Sequence, residues 1–479
     1  MSTPNYGDQP GPNGQFQGQV PAPGPNGQFQ GQAPAPGEKK SRGKMTAIIS
    51  VIVVAILVVV GGGAFALSRL IAGGYKSPDA LAQSIDSAFA KNSLVSLAGA
   101  PSREELNAAT AWQKDYKHNG GADWSKLMDL KALKDYIDQI DIKKSEMEYT
   151  VDTKSDQVAL ITITKWEGDI EIKPELADKI REHYKEAKGS DLTANESQAF
   201  DKMKQDIQNK PVFSGNVLEN FPNNKLTLVS VKENGKWYLS GYMTVAEQFL
   251  GTDSAQPNYS ANFTDVKGAS SPEEAVSGMV DALRNGASIG SEDVYRYLDL
   301  PERRVAAVYG GGSSSSEYSA SDMGDNGVQV TWGLSSTKVS GGAIVNLGTT
   351  SITTDEYKVE FNGGSLTFSY PDNDTRTFRT TTKTMTTNYT EGLVNPERLG
   401  VFTVEDASGW HVSFVRTIGN LNLLAASDDA VNQAVDGLWS VTGAYGADVS
   451  VDEIRDLALN NKPVGALLVI GWNFAKNAE

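Results

Sequence analysis

The three histidines are the side chains best suited to acid–base chemistry near neutral pH, because imidazole titrates in that range. His118 lies in a charged, glycine-flanked stretch and His183 in a predicted helix rich in lysine and glutamate, so we expect both to be solvated. His411 follows Trp410 in a predicted hairpin, where alternation places the two side chains on opposite faces. A structural role is favoured for His411, with an acid–base role in a cavity as the alternative.

Serines and aspartates in glycine-rich segments are the other candidates for chemistry. Ser313–Ser316 follow Gly310–Gly312, but the chain has neither a lysine at P-loop spacing after them nor a G-x-S-x-G pattern, so a flexible loop is favoured. Four aspartates suggest calcium ligands: Asp322, Asp325, Asp372 and Asp374. The EF-hand pattern, with its central glycine and closing glutamate, is missing, so we interpret them as turn formers. The sequence therefore predicts no catalytic, cofactor-binding or metal-binding residue.

The composition excludes several classes of site. Cysteine is absent, which excludes disulfides, thiolate catalysis and cysteine-based zinc sites. The net charge is −16 at pH 7, with +2 on residues 1–44 and −18 on the remainder. Nucleic acid and anionic lipid would be repelled by so acidic a surface, so we expect neither as a partner of the folded part.

The first 44 residues are predicted to be a disordered cytoplasmic tail. Residues 10–22 recur as residues 23–35 with twelve of thirteen positions identical, in a Pro/Gly/Gln-rich composition. Such a segment has too little apolar surface to offset the entropy lost on ordering. Two interpretations stay open: a solvated spacer, or a multivalent tail whose Phe16 and Phe29 contact a cytoplasmic partner.

Thr46–Leu67 contains no charged residue and predicts a transmembrane helix over residues 45–70. At 1.5 Å per residue it would be about 33 Å long, against a hydrocarbon core of roughly 30 Å. Basic residues cluster just before it, which predicts a cytoplasmic N-terminus and residues 70–479 outside the cell membrane. The pattern Ala64-Phe65-Ala66 is typical of a signal-peptidase site and keeps cleavage open, although the 44 residues before the span favour a retained anchor.

The part after the span repeats one plan. Ser77-Pro78-Asp79 and Ser271-Pro272-Glu273 each predict a helix start, with a serine cap, a proline in the first turn and an acidic residue near the positive helix end. Asn-Gly and Ser-Gly turns between alternating apolar residues then predict a hairpin near the end of each copy. Aligning the hairpins gives two residue pairs: Trp237 with Trp410, and Ser240 with Ser413.

The repeat predicts two tandem α+β domains, each a helix plus a curved antiparallel sheet, over residues 75–252 and 261–479. Between helix and hairpin the two copies differ, since the first inserts helices over Pro174–Lys188 and Asp191–Asn209 and the second is richer in strands. The final apolar run, Val464–Trp472, is too short to cross a bilayer and is expected to pack as core. The predicted fold class is therefore α+β, with a disordered tail, one transmembrane helix and two tandem domains.

Two groups of residues carry a resemblance to a known family: Ser77–Phe89 with Asn234–Ser240, and Ser271–Leu283 with Gly409–Ser413. A capped helix followed by a hairpin with N/S-G-(K)-W resembles the nuclear transport factor two-like, cone-shaped domains of single-pass actinobacterial membrane proteins. The resemblance implies a curved sheet wrapped on helices, with room for a pocket. Such domains serve as enzymes, ligand binders and assembly modules, so the fold does not decide the function.

The predicted function is that of a membrane-anchored cell-envelope protein whose outer domains form a non-enzymatic binding or assembly module for envelope proteins, without a cofactor. A sensor that binds an apolar or glycan ligand is the alternative, and a cavity enzyme of the isomerase or hydrolase type is the third hypothesis. An apolar cavity favours the sensor, and convergent buried Asp, His or Tyr side chains favour the enzyme. Filled domains with an exposed apolar patch favour assembly.

Overall fold

The computed structural model describes residues 73–111, 126–127, 130–250, 256–312, 328–374, 379–442 and 450–476. The predicted tail, the predicted span and the Ala64-Phe65-Ala66 pattern lie outside these ranges. So do His118, Ser313–Ser316, Asp322 and Asp325.

The predicted fold class requires correction. Its α+β character holds, but no helix among the described residues is both long and apolar enough to cross a membrane. The most apolar of these helices, Lys462–Ala475, has 14 residues. At 1.5 Å per residue it is about 21 Å long, well short of a hydrocarbon core of roughly 30 Å. A transmembrane helix is therefore not part of the fold described here.

The first repeat, as we call residues 75–252, combines helices with an antiparallel sheet. Its helices are α1 (Pro78–Ala90), α2 (Arg103–Thr110), α3 (Leu130–Ile137), α4 (Glu175–Lys188), α5 (Ala194–Asn209) and α6 (Gly241–Leu250). Its strands are β1 (Ile140–Thr153), β2 (Val158–Ile172), β3 (Val212–Asn216), β4 (Leu226–Glu233) and β5 (Lys236–Ser240). The strand order is β1-β2-β4-β5, and β3 pairs with the end of β2.

Local sequence explains how this sheet and its helix form. The Ser77 hydroxyl accepts a hydrogen bond from the Ala80 N–H at 3.1 Å and so caps α1. The buried side chains of Leu81, Ile85 and Phe89 lie on one face of α1, and the Phe89 ring meets the buried Trp166 ring edge-on. Two register shifts interrupt the long β1–β2 pairing, and α1 packs against β1.

The second repeat, residues 261–479, begins in the same way and then adds elements. Its helices are α7 (Pro272–Arg284), α8 (Glu292–Tyr295), α9 (Leu300–Tyr309), α10 (Phe414–Leu421), α11 (Asp428–Thr442), α12 (Val451–Asn460) and α13 (Lys462–Ala475). Its strands are β6 (Gln329–Thr331), β7 (Ser335–Val339), β8 (Gly342–Asn346), β9 (Ser351–Thr353), β10 (Lys358–Asn362), β11 (Ser365–Asp374), β12 (Arg379–Asn388), β13 (Val401–Asp406) and β14 (Gly409–Val412).

The strands of the second repeat form two sheets, whereas the sequence predicted one. The first sheet has the order β14-β13-β8-β7 and the second has the order β12-β11-β10-β9-β6. Because β8 pairs directly with β13, the strands that lie between them in the chain are excluded from the first sheet. The terminal helices α11, α12 and α13 pack on one another around Val431, Ala434 and Val469, which confirms the core packing predicted for Val464–Trp472.

The two repeats hold their hairpins by the same backbone bridges. Antiparallel bridges join Tyr75 to Trp237 and Ala269 to Trp410, and parallel bridges join Pro101 to Leu239 and Leu298 to Val412. The predicted correspondence of Trp237 with Trp410 is therefore confirmed. The parallel bridges also place α2 and α9 at equivalent positions, since each helix starts two residues after the bridge residue, Pro101 or Leu298.

Candidate functional site

The two repeats meet through equivalent helices. Helix α2 contacts α10, helix α9 contacts α6, and α2 and α9 contact each other. Helices α6 and α10 are equivalent because each follows the hairpin serine, Ser240 or Ser413. The contacts are thus reciprocal, as in an isologous dimer built within one chain.

A buried ion pair joins the repeats at this interface. The Arg304 guanidinium of the second repeat donates from Nη1 to Glu233 Oε1 of the first repeat at 2.7 Å. Both side chains are almost fully buried. Glu233 also accepts hydrogen bonds from the Ser102 hydroxyl at 2.6 Å and from the Arg103 N–H at 3.1 Å. Of these three donors Arg304 comes from the second repeat, so its charge-assisted bond links the two repeats.

Two equivalent glutamates cap the helices that follow the hairpins. Glu105 lies three residues after the cap residue Ser102, and Glu302 lies three residues after the cap residue Asp299. Glu105 accepts from the Ser240 hydroxyl and, through Oε2, from the N–H groups of Gly241 at 2.7 Å and Tyr242 at 3.2 Å. A carboxylate at this position satisfies the free N–H groups at the start of α6.

Glu302 makes the matching contacts with only one of its oxygens. Oε1 accepts from the Ser413 hydroxyl at 3.2 Å and from the Val415 N–H at 3.0 Å, at the start of α10. Oε2 is buried and accepts no hydrogen bond from the described residues. Burial, together with the nearby Asp299 carboxylate, raises the pKa of Glu302 to about 7. Burial likewise raises the pKa of Glu105 to about 7, against the opposing effect of its hydrogen bonds.

Glu302 lines a cavity of about 660 Å³ between the repeats. The cavity is lined by Tyr242, Val245, Ala246, Ile289, Leu298, Glu302, Val305, Ala306, Tyr309, Gly310, Phe414 and Val415. At its mouth, Val245 is 51 % exposed, Ile289 45 % and Phe414 44 %. Apolar side chains therefore line both the interior and the rim.

The chain matches no family model, no curated protein and no solved structure. The resemblance to the nuclear transport factor two-like domains consequently stays a prediction.

Tyrosine hydroxyls are the other polar groups of the cavity lining. The Tyr309 hydroxyl donates to Glu247 Oε2 at 2.9 Å, and the Tyr259 hydroxyl donates to the same oxygen at 2.7 Å. Burial raises the pKa of Tyr309 and the pKa of Tyr242 well above the usual range, so both phenols stay neutral. Among the described lining residues, Glu302 is the ionisable group with an unused acceptor atom. The unused oxygen of Glu302 is itself buried, and the described lining supplies no paired nucleophile and base.

The histidines and aspartates that the sequence offers as candidates, where the structure describes them, do not line this cavity. His411 is buried in the hairpin, where Nε2 lies 2.9 Å from the Ser408 hydroxyl and Nδ1 lies 2.9 Å from the Arg296 carbonyl oxygen. Burial lowers the pKa of His411. These contacts fix the ring between the β13–β14 turn and the neighbouring backbone, which agrees with the structural role that the sequence favours.

The prediction that His183 is solvated was wrong. Its side chain is buried, with Nε2 2.9 Å from Asp135 Oδ2 and the ring edge-on to Tyr136. The reason is helical spacing, since His183 falls on the same face of α4 as the buried Leu176 and Ala187.

Asp372 and Asp374 were predicted to form a turn, and this was also wrong. Both lie within β11, and Asp372 pairs with Lys383 of β12 at 3.0 Å. Within the described ranges, no group of three or more imidazole or carboxylate side chains is arranged to hold a metal ion.

Proposed function

We propose that this protein is a non-enzymatic binding module that holds the apolar part of a ligand in the cavity between its two repeats. The observation that supports the proposal is the cavity itself, whose volume of about 660 Å³ falls in the range typical of small-ligand sites. Its walls carry mostly aliphatic and aromatic side chains around a single carboxyl group. Displacement of water from such an apolar surface by the apolar part of a ligand is favourable and contributes to binding.

The interface supplies a physical reason for a preformed site. The Arg304–Glu233 ion pair and the two capping glutamates hold α6, α9 and α10, which carry much of the cavity lining. A site fixed before binding loses less conformational entropy when the ligand enters.

Placement of the repeats outside the cell membrane and the identity of envelope partners stay predictions from the sequence, as does a cytoplasmic partner of the tail. The binding proposal depends on none of them. It rests on described residues of the interface alone.

The proposal is tested by filling the cavity. Ala306 lines it, and the equivalent residue of the first repeat, Ala109, is exposed on α2. We expect the purified full-length chain to bind diphenylhexatriene, an apolar fluorophore without a polar group. Ala306→Trp should weaken that binding about tenfold or more, because the indole occupies the space of the ligand, whereas Ala109→Trp should leave it unchanged.

A thermal unfolding curve establishes that each variant is folded. Should Ala306→Trp fail to fold, Val245→Trp at the exposed rim is the second variant, and the same loss is expected. A wild-type chain that does not bind the fluorophore, or equal binding by all variants, would contradict the proposal.

A second candidate function, assembly with an apolar protein partner, is favoured by one observation on α10. Phe414 and Ile418 lie one helical turn apart on this helix, and Ile418 is 66 % exposed without lining the cavity. Crosslinking and co-purification of the intact protein then separate the two functions. If assembly is the function, Ile418→Ser should release a co-purifying protein while the binding of diphenylhexatriene persists.

A further inference from the structure

Helix α13 carries apolar residues on the side away from the other terminal helices as well as on the side that packs against them. Its buried side consists of Gly465, Ala466, Val469 and Asn473. By helical spacing the opposite side consists of Val464, Leu467, Gly471 and Phe474, which we call the outer seam. Leu467 is 50 % exposed and Phe474 is 40 % exposed. Gly471 is also exposed, and Val464 is half-buried.

The outer seam contains no charged residue, although it belongs to a chain with a net charge of −16. The preceding helix α12 shows the usual pattern, with Asp452, Glu453 and Asp456 exposed to solvent. A helix that is apolar on all sides is normally covered on all sides. An exposed apolar stripe of this kind is typical of an interaction surface. The outer seam therefore requires a partner that brings an apolar surface of its own.

The spacing along the outer seam fits a second helix. Its four residues are separated by three, four and three positions, which is the spacing of the a and d residues of a coiled coil. Ten residue steps of 1.5 Å make the seam about 15 Å long. A helix with the same apolar spacing can pack its side chains between those of the seam along this whole length.

Gly471 decides which helix this is and how it lies. A Cβ atom added at Gly471 would meet nothing within 4 Å, so the seam has an open gap at this position. If two copies of α13 pack antiparallel, Leu467 of each copy lies opposite Gly471 of the other and fills the gap, while Val464 lies opposite Phe474. A parallel pair would place the two glycines opposite each other and leave a void, which is unfavourable. The outer seam is therefore complementary to itself in the antiparallel arrangement, as an isologous dimer requires.

We propose that the outer seam of α13 binds the outer seam of a second copy of this chain, with the two helices antiparallel. This inference is independent of the proposed function, because none of the four seam residues lines the cavity. Stable interfaces bury about 800 Å² on each partner, and a single seam of about 15 Å buries less, so the dimer should dissociate on dilution. Salt should strengthen the association, since it screens the repulsion between two acidic chains.

Sedimentation velocity of the purified full-length chain at about 0.5 M NaCl tests the association. The average mass should rise towards that of two chains as the protein concentration increases. Leu467→Asp should weaken the dimer about tenfold or more, because it buries a carboxylate in the seam. Ile418→Asp is the matched control, since it places the same charge at an exposed isoleucine of α10 and should leave the dimer unchanged. Thermal unfolding curves establish that both variants are folded.

Cysteine crosslinking tests the orientation with milder substitutions. The chain contains no cysteine, so an introduced thiol forms disulfides only at its own position. In the antiparallel dimer residue 467 faces residue 471. A mixture of Leu467→Cys and Gly471→Cys chains should therefore form disulfide-linked dimers about tenfold faster than either variant alone, because only the mixture brings two thiols within bonding distance.

The outcomes decide the proposal. A chain that stays monomeric at every concentration, with no faster crosslinking in the mixture, would overturn it. Leu467→Cys chains that crosslink alone as fast as the mixture would mean a parallel pair and overturn the antiparallel arrangement. If phosphatidylcholine vesicles protect the Leu467→Cys thiol of a monomeric chain from maleimide, the outer seam binds a lipid surface rather than a second copy. Should Leu467→Asp not fold, the cysteine variants still decide.

Discussion

Glu105 and Glu302 occupy equivalent positions in the two repeats, and each caps a helix with a buried carboxyl group. Burial raises the pKa of each from 4.5 to about 7. The folded protein therefore binds these protons more tightly than the unfolded chain does. The stabilisation that results is fully present below pH 4.5 and is lost as the pH rises through about 7.

This titration predicts how a neutral side chain at residue 302 changes stability with pH. Glu302→Gln should raise the free energy of unfolding at pH 8 by roughly 1–3 kcal/mol, because the ionised carboxylate is disfavoured by burial and by Asp299. The difference from wild type should shrink towards zero at pH 4.5. Denaturant unfolding at several pH values measures it.

Other ionisable groups near Glu302 set the background of that measurement. They are Asp299 and Arg303 on α9 and Tyr242 of the first repeat, and Tyr242 in turn lies near Arg416 and Glu105. The pKa of Glu196, away from this interface, shifts in the opposite direction. Hydrogen bonds from Lys188, Thr193 and Tyr184 outweigh the effect of burial and lower it to about 2. The prediction therefore concerns the difference between variant and wild type. A difference that is constant with pH would contradict it.

Local signals explain which elements the sequence could predict. The Ser-Pro-acid starts of α1 and α7 and the glycine turns of the two hairpins depend only on neighbouring residues, and all are present in the structure. The helical spacing that buries His183 can be read from the sequence, because Leu176, Ile180 and His183 fall on one face of α4. The lysines and glutamates around His183 favour solvation by composition alone, against the spacing that buries it.

Strand β11 contains a proline, Pro371, beside Asp372, which was predicted to form a turn. Pro371 has no N–H to donate, so a turn is its usual position next to Asp372. In the structure β10 pairs with β11 only as far as Ser369, and Pro371 lies beyond that point in the β11–β12 ribbon. A proline is tolerated in a strand where no neighbouring strand needs a hydrogen bond from its position. Whether a neighbouring strand is present there depends on residues distant in sequence.

The cavity could not be predicted from either repeat alone. Most of its lining comes from α6 of the first repeat and from α9 and α10 of the second, which meet only when the repeats pack together. One signal was available, because Ser102 and Asp299 are each followed by a glutamate at the third residue. Aligning the repeats through that pattern would have singled out Glu105 and Glu302. The unequal bonding of the two carboxylates still required the packed structure.

The buried Arg304–Glu233 pair links the two repeats. Replacing one partner leaves the other charge buried without compensation, and for buried pairs this costs about 3–5 kcal/mol. Arg304→Met and Glu233→Gln should each lower the free energy of unfolding by about that amount. The double variant should lose less free energy of unfolding than the two single variants lose together, because it leaves no unpaired buried charge. The amide oxygen of the glutamine at residue 233 can still accept a hydrogen bond from Ser102 or Arg103.

An exposed pair serves as the control for this cycle. Arg455 contacts Asp436 and Asp452 at the surface, so Arg455→Met should change the free energy of unfolding by less than about 1 kcal/mol. Because the cavity lies between the repeats, the single buried variants should also weaken the binding of diphenylhexatriene, and the double variant should recover part of it. Strictly additive single effects, or full fluorophore binding by every variant, would mean that this ion pair does not hold the repeats in the arrangement that forms the cavity.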